Sequence, residues 1–219
     1  PAPCLVSKRR GMHLWHLHYR GENTLAINGF LRETFKNFNR VHFVNFDIGF
    51  VVGNDGAALK TVDGGRTWRP QGSPTNTHIY NVAFVNPTIG WRLVGGTIYK
   101  TTDGGTTWRI QKYPGAEILR GLTFLNPTTG WIVGTRGLVL KTTNGGARWI
   151  KQPSGVSDVQ SELHSITFIN SNLGFAVGHK GLVLKTTNGG ARWIKLRPGT
   201  TDTLYGVRFA NDRIGWAVG

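Results

Sequence analysis

Apolar residues along this chain come in short runs broken by glycine and Asx residues, and the runs recur in step. One series reads VHF (41–43), VAF (82–84), LTF (122–124), ITF (166–168) and VRF (207–209). A second follows it: DIGFVVG (47–53), TIGWRLVGG (88–96), TTGWIVG (128–134), NLGFAVG (172–178) and RIGWAVG (213–219). A third reads KTVDGGRTW (60–68), KTTDGGTTW (100–108) and KTTNGGARW at 141–149 and 185–193, the last two inside an identical run, GLVLKTTNGGARWIK. Its Asx residues, Asp63, Asp103, Asn144 and Asn188, are spaced by 40, 41 and 44 residues. Three phased signals at one period near 40 predict a repeat array with several strands per unit, a propeller or a related fold.

Each unit reads as four strands. In the fourth, LHSITFIN predicts the first, GFAVGH the second, GLVLKTTN the third and ARWIKL the last. The turns before the tryptophans suit hairpins that need positive φ, and the Asx side chain is placed to bond nearby backbone amides. Asp63, Asp103, Asn144 and Asn188, with Trp68, Trp108, Trp149 and Trp193 as apolar plates, therefore read as structural rivets. One carboxylate or amide per turn is too few ligands for calcium, so no metal is expected there.

Composition agrees with an all-β chain: 31 glycines and eight tryptophans accompany a single methionine among 219 residues. No stretch is apolar enough to cross a bilayer as a helix, so no integral membrane segment is expected. Cys4 stands alone, which excludes an intrachain disulfide. The formal charge of +15 raises a nucleic-acid hypothesis. Residues 1–40 hold seven Lys or Arg against two Glu, and the rest of the excess is spread along the repeats. Such a spread suits an acidic protein surface or an anionic membrane face, and no specific nucleic-acid motif is visible.

Glycine-aromatic strands followed by KTT-Asx-GG-x-x-W turns resemble the repeat of the photosystem II stability and assembly factors, a family of Asp-box (BNR-type) β-propellers. The resemblance covers about residues 38–219. It implies a ring of about seven four-stranded blades, of which about four and a half repeats are visible here, the last blade incomplete. It implies a non-catalytic role without cofactors, holding a reaction-centre subunit or another membrane-protein partner. It also implies export to a thylakoid lumen, a periplasm or the cell exterior. Residues 1–37 read as a basic arm or a closing segment, with TLAINGFLRETF (24–35) as the stretch that would supply strands to a five-bladed ring. His13, His16 and His18 lie in the arm without a Cys or carboxylate at ligand spacing.

In a four-stranded blade, the loops joining strand four to the next strand one open on the same face as those joining strands two and three. The first class is long and varied here: PQGSPTNTH (70–78), QKYPGAE (111–117), QPSGVSDVQSE (152–162) and LRPGTTDT (196–203). Varied loops on a fixed scaffold are the usual seat of recognition. The residue at the mouth of each inner strand is Asn39, Tyr80, Arg120, His164 or Tyr205, and the second loop class adds Asp55, Arg136 and Lys180. Tyr80, Arg120, Arg136, His164, Lys180 and Tyr205 are thus the expected partner-binding residues, aromatic and basic groups favoured at interface hot spots. His42 and Arg208 stand where other units have Ala83, Thr123 and Thr167, and Arg92 sits in the longest of the glycine-aromatic runs, which predicts a bulge.

Two other functions fit such a scaffold. An Asp-box glycoside hydrolase of the sialidase kind needs paired carboxylates, or a tyrosine nucleophile with acidic help. The acids expected on the loop face are Asp55, Glu117, Asp158, Glu162 and Asp202, and none sits in a recurring motif. An exported module binding glycans or polyanions would use Arg120, Arg136, Lys180 and Lys195, and its affinity would collapse as salt rises.

Overall fold

The computed structural model describes residues 38–72 and 76–219. The basic arm or closing segment expected at 1–37, including TLAINGFLRETF and the three histidines, lies outside the described residues. Asn37–Gly219 forms one compact unit.

That unit is an arc of β-propeller blades. Four are four-stranded antiparallel sheets in simple up-and-down order: β1 (Phe38–Phe43), β2 (Gly49–Gly53), β3 (Ala58–Thr61) and β4 (Arg69–Pro70), then β5 (Ile79–Phe84), β6 (Gly90–Val94), β7 (Thr97–Thr101) and β8 (Arg109–Gln111). The third and fourth follow as β9 (Leu119–Phe124), β10 (Gly130–Gly134), β11 (Val139–Thr142) and β12 (Ile150–Lys151), then β13 (Leu163–Phe168), β14 (Gly174–Gly178), β15 (Val183–Thr186) and β16 (Ile194–Leu196). A fifth sheet has two strands, β17 (Gly206–Phe209) and β18 (Gly215–Val218). Successive blades touch through their inner strands, β1 to β5 to β9 to β13 to β17.

The repeating signals explain this packing. In the four complete blades the glycine-aromatic run is a second strand covered on both faces, so GFVVG, GWRLV, GWIVG and GFAVG are buried throughout. Its first glycine lets the phenylalanine of the paired inner strand lie flat against the backbone; at Gly130 a Cβ would meet the Phe124 ring. That phenylalanine is then held from two sides. The preceding blade's aromatic stacks on it, as in Phe50–Phe84 at 3.8 Å, Trp91–Phe124 at 3.5 Å, Trp131–Phe168 at 3.6 Å and Phe175–Phe209 at 4.3 Å. The Asp-box tryptophan of its own blade meets it edge-on, as in Phe43–Trp68, Phe84–Trp108, Phe124–Trp149 and Phe168–Trp193 at 5.9–6.0 Å.

The Asp-box turns are bonded as their chemistry suggests. The Thr61 hydroxyl accepts from Gly65 N–H at 2.8 Å and donates to Asp63, whose carboxylate also accepts from Thr67 N–H at 2.9 Å. Asn144 and Asn188 accept likewise from Arg148 and Arg192 N–H. Positive φ falls on the two glycines rather than on the Asx residue: Gly64 has φ 71° and Gly65 89°. The turns also tie blades together, because the Trp91 and Trp131 indoles donate to the Gly145 and Gly189 carbonyls of the following blade at 3.1 Å. Lys60 donates to Gly104 of the next turn at 2.9 Å.

The bulge expected at Arg92 is not there. β6 pairs with β7 in unbroken register from Gly90↔Thr101 to Val94↔Thr97, because Gly95-Gly96 closes that hairpin with a tighter turn than the other blades use. Arg92 instead occupies the apolar position taken by Ile132 in the third blade. It is 1 % exposed, its guanidinium lies 4.3 Å from the Trp108 ring centroid, and its Nε and Nη2 have no hydrogen-bond partner. Burial pushes its pKa down to about 10, with Tyr99 acting the other way. An uncompensated buried charge outweighs what the Trp108 contact returns. Arg92→Ile is therefore expected to raise stability by about 1–2 kcal/mol in urea unfolding followed by circular dichroism; a loss of stability would contradict this account.

Candidate functional site

The bulges lie instead on the inner strands, at the mouth. Ile79 pairs with Val94 and Asn81 with Leu93, leaving Tyr80 as an extra residue. Asn39, Arg120 and His164 are left over in the same way in the first, third and fourth blades. A bulge turns its extra residue out of the sheet's alternation. In this fold it hands one side chain per blade to the loop face, and Tyr205 stands at the equivalent place before β17.

In the third and fourth blades glycine allows a close backbone approach beside the bulge, where the second blade has Val94. A side chain at Gly134 or Gly178 would run into the Ile118 or Glu162 carbonyl, the residue just before each inner strand. The turns between second and third strands are consequently bonded to the long loops. Thr135 and His179 N–H donate to Ile118 and Glu162, and Gly137 and Gly181 N–H donate to Ser161 and Asp202. Within those turns Asp55, Arg136 and Lys180 adopt left-handed backbone, with φ of 53°, 57° and 50°. Such conformations are disfavoured away from glycine and persist only where surrounding bonds impose them.

The expected residues are partly brought together. A ribbon runs across the mouth from Asp55 through His78, Tyr80, Arg120, Glu162 and His164 to Tyr205. His78 Nδ1 accepts from Asp55 N–H at 3.2 Å, and its ring is 6.4 Å from that of Tyr80. The Arg120 guanidinium lies over the Tyr80 ring at 4.9 Å and 3.9 Å from the Glu162 carboxylate. His164 is 4.0 Å from Glu162, and its ring is 5.0 Å from that of Tyr205. Burial lowers the His164 pKa; Glu162 opposes the shift, while Arg120 and His179 add to it.

Arg136 and Lys180 stand apart from that ribbon. Arg136 edges a cavity of about 590 Å³ between the third and fourth blades, lined also by Glu117, Ile118, Thr135, Val159 and Glu162. Lys180 donates to the Gln160 side chain. Glu117 is held by Lys151 at 3.2 Å and by the Tyr113 hydroxyl at 3.0 Å. Burial would raise its pKa, yet the hydrogen bonds and the Lys151 charge prevail and hold it low. Tyr113 is pushed up to about 12 by burial and by Glu117. Asp158 and Asp202 are exposed on the long loops. The pairing of Arg120 and His164 with Glu162, and the part played by His78, had no signal in the repeat because none of these acids or His78 recurs at a fixed position.

Among the described residues, no group of three or more His, Cys, Asp or Glu is placed to hold a metal, and no helix is long and apolar enough to cross a membrane.

The family model described as photosynthesis system II assembly factor YCF48 matches residues 108–208. Over that span, a little under half of the chain, the repeats are similar to those of the photosystem II assembly-factor family. No curated protein matches the chain. Among solved structures, an ancestral GH74 enzyme is similar at a TM-score of 0.69 and 18 % identity, over 83 % of this chain and 27 % of that one. A structure of YCF48 bound to a D1 peptide is similar at 0.51 and 16 % identity, over 84 % and 90 %. The GH74 xyloglucanase from Xanthomonas campestris follows at 0.56 and 14 %, over 72 % and 30 %. At these identities the likeness establishes the propeller fold that the assembly-factor repeats share with GH74 enzymes. The chain spans about a quarter of the ancestral enzyme's length.

Proposed function

We propose that this protein is a non-catalytic binding scaffold that holds a segment of a membrane-protein subunit, of the photosystem reaction-centre kind, against its loop face. The observation that carries this reading is the ribbon at the mouth, where successive bulges present Tyr80, Arg120 and His164, with Tyr205 beside them just before β17. Aromatic rings alternating with paired charges combine contact area with directed hydrogen bonds, which is the chemistry of a protein interface. The family model and the D1 peptide bound by a structural neighbour support this partner class. Asp63, Asp103, Asn144, Asn188 and the four Asp-box tryptophans serve the scaffold. The working place is an exported compartment such as a thylakoid lumen, with an anionic membrane surface as a secondary contact for the basic repeats.

The acids of the cavity support a binding role over hydrolysis. A glycosidase general acid must keep its proton near neutral pH, which requires a raised pKa. Glu117 is shifted the other way, and Glu162 faces Arg120 and His164.

Synthetic peptides tiling D1 provide the test, measured by fluorescence anisotropy at two salt concentrations. Binding of at least one peptide is expected, weakened at least about ten-fold by Tyr80→Ala with Arg120→Glu, and less by Arg136→Glu with Lys180→Glu. Failure of every peptide, equal binding by the first variant, or complete loss of binding at modest salt would overturn the reading.

A further inference from the structure

We propose that Glu162, Arg120 and His164 form a proton-operated clasp on the loop face, which favours a segment rich in carboxylates once His164 carries a proton. The inference rests on the reading of that face as a binding surface, and it adds the chemistry of the bound segment and its dependence on pH.

The clasp is built by two bulges. Arg120 and His164 are the extra residues of β9 and β13, which are neighbouring inner strands, so both side chains leave their sheets at the same level of the mouth. Glu162 lies just ahead of β13, and its backbone is pinned twice: its N–H donates to the Gln160 carbonyl and its carbonyl accepts from His179 N–H, both at 2.9 Å. Its carboxylate therefore stays between the two bulges. One oxygen, Oε2, stands 3.9 Å from Arg120 Nη2 and 4.0 Å from His164 Nε2, and no other carboxylate among the described residues lies within 4.0 Å of either. Two nitrogen groups share one acid.

Sharing makes the charge of the mouth depend on His164. With a neutral imidazole, Glu162 neutralises Arg120 and the trio carries no net charge. With an imidazolium, the same carboxylate is divided between two cations and one positive charge is left over. The side chains of His164, Arg120 and Glu162 are only 15 %, 27 % and 34 % exposed, so solvent and salt screen that charge less than on an open surface. Arg120 has little else to compensate it, because its Nε is buried without a hydrogen-bond partner and its guanidinium otherwise meets the Tyr80 ring. Burial lowers the His164 pKa, against Glu162 and together with Arg120 and His179, while the Tyr205 ring packs 5.0 Å away. The ring is thus neutral at pH 7 and takes its proton below the ordinary histidine value. Once it does, aspartates and glutamates in a bound segment gain and lysines and arginines lose.

The probe is a hexa-aspartate peptide labelled with rhodamine, titrated with the whole chain by anisotropy at about pH 7.5 and at about pH 5, where aspartate is still ionised. Affinity is expected to rise at least about five-fold on acidification. His164→Asn should lose most of that gain. Glu162→Gln should bind at the higher pH about as tightly as the unaltered protein does at the lower, because Arg120 is then uncompensated throughout. Nuclear magnetic resonance of the His164 ring gives a second readout: its titration midpoint should fall in Glu162→Gln and rise when the peptide saturates the unaltered protein, as linkage requires. A trio that served only the fold would show neither shift. Absence of binding at the lower pH, a gain that survives His164→Asn, or a His164 midpoint indifferent to the peptide would overturn the proposal. If the aspartate peptide behaves as expected while every D1 peptide fails, the clasp is supported and only the partner class of the loop face falls.

Discussion

Trp131→Ala is expected to lower the unfolding free energy by about 4–5 kcal/mol, the upper end for a buried aromatic truncated to alanine. Trp131 is fully buried and joins the third blade to the fourth by two separate means. Its ring stacks on Phe168 at 3.6 Å, with the planes 11° apart, and its indole donates to the Gly189 carbonyl at 3.1 Å. Alanine leaves a cavity beside Phe168 and strands that carbonyl in the Asp-box turn. Trp131→Phe separates the two effects, because the first and fourth blades already use phenylalanine there, in the Phe50–Phe84 and Phe175–Phe209 stacks. It should keep most of the stack and cost only about 1–2 kcal/mol, chiefly the hydrogen bond. Urea unfolding followed by far-ultraviolet circular dichroism measures both, since tryptophan fluorescence would change with the substitution itself. If the two variants lose equal stability, stacking between blades is not what holds the arc together.

The same stack shows why the fold was legible in the sequence. A glycine before an aromatic, a phenylalanine before that and a tryptophan after an Asx-Gly-Gly turn are one contact written in three places, so each unit must carry all three at one spacing. The expected four-stranded units follow directly. The mouth residues were legible for a related reason: they vary where their neighbours do not. Their aim was not legible. A bulge depends on which residues pair across two strands, and the one expected at Arg92 falls instead at Asn39, Tyr80, Arg120 and His164. The glycines beside two of these bulges, Gly134 and Gly178, close the second-strand runs and look like ordinary strand ends until the Ile118 and Glu162 carbonyls are seen against them. The charge of the face was misjudged for want of distance. Arg120 counts as a free cation in a sequence, but Glu162, 42 residues away along the chain, stands 3.9 Å from it.

Acidification from pH 7 to about 4 should destabilise the protein through His42, by up to about 3 kcal/mol at one pKa unit per 1.36 kcal/mol. Burial is the main cause that pushes the His42 pKa from 6.5 down to about 4; the contact with Phe84 opposes it, and the charges of Arg208 and Arg40 add to it. The His42 Nε2 lies 3.1 Å from the Phe84 N–H, from which a neutral ring accepts, and 3.0 Å from the Phe84 carbonyl, to which a protonated Nε2 donates, so the ring ties the first blade to the second. Between pH 6.5 and 4 the unfolded chain binds a proton that the folded one does not. Stability contributed by the neutral ring is therefore complete above 6.5 and is lost as pH falls toward 4. His164, also shifted down, acts in the same direction. Asp63 and Asp103 are held at about 2 by bonds from Thr67 and Thr107, so their contribution fades only below the ordinary carboxylate range and does not overlap this window. His42→Thr, which installs the residue found at Thr123 and Thr167, should flatten the dependence of the urea midpoint on pH between 6.5 and 4.5. Added salt should shrink the wild-type slope in part, by screening Arg208 and Arg40, and leave the larger burial component in place. An unchanged slope in the variant would mean that the acid sensitivity of the inner strands belongs to another group.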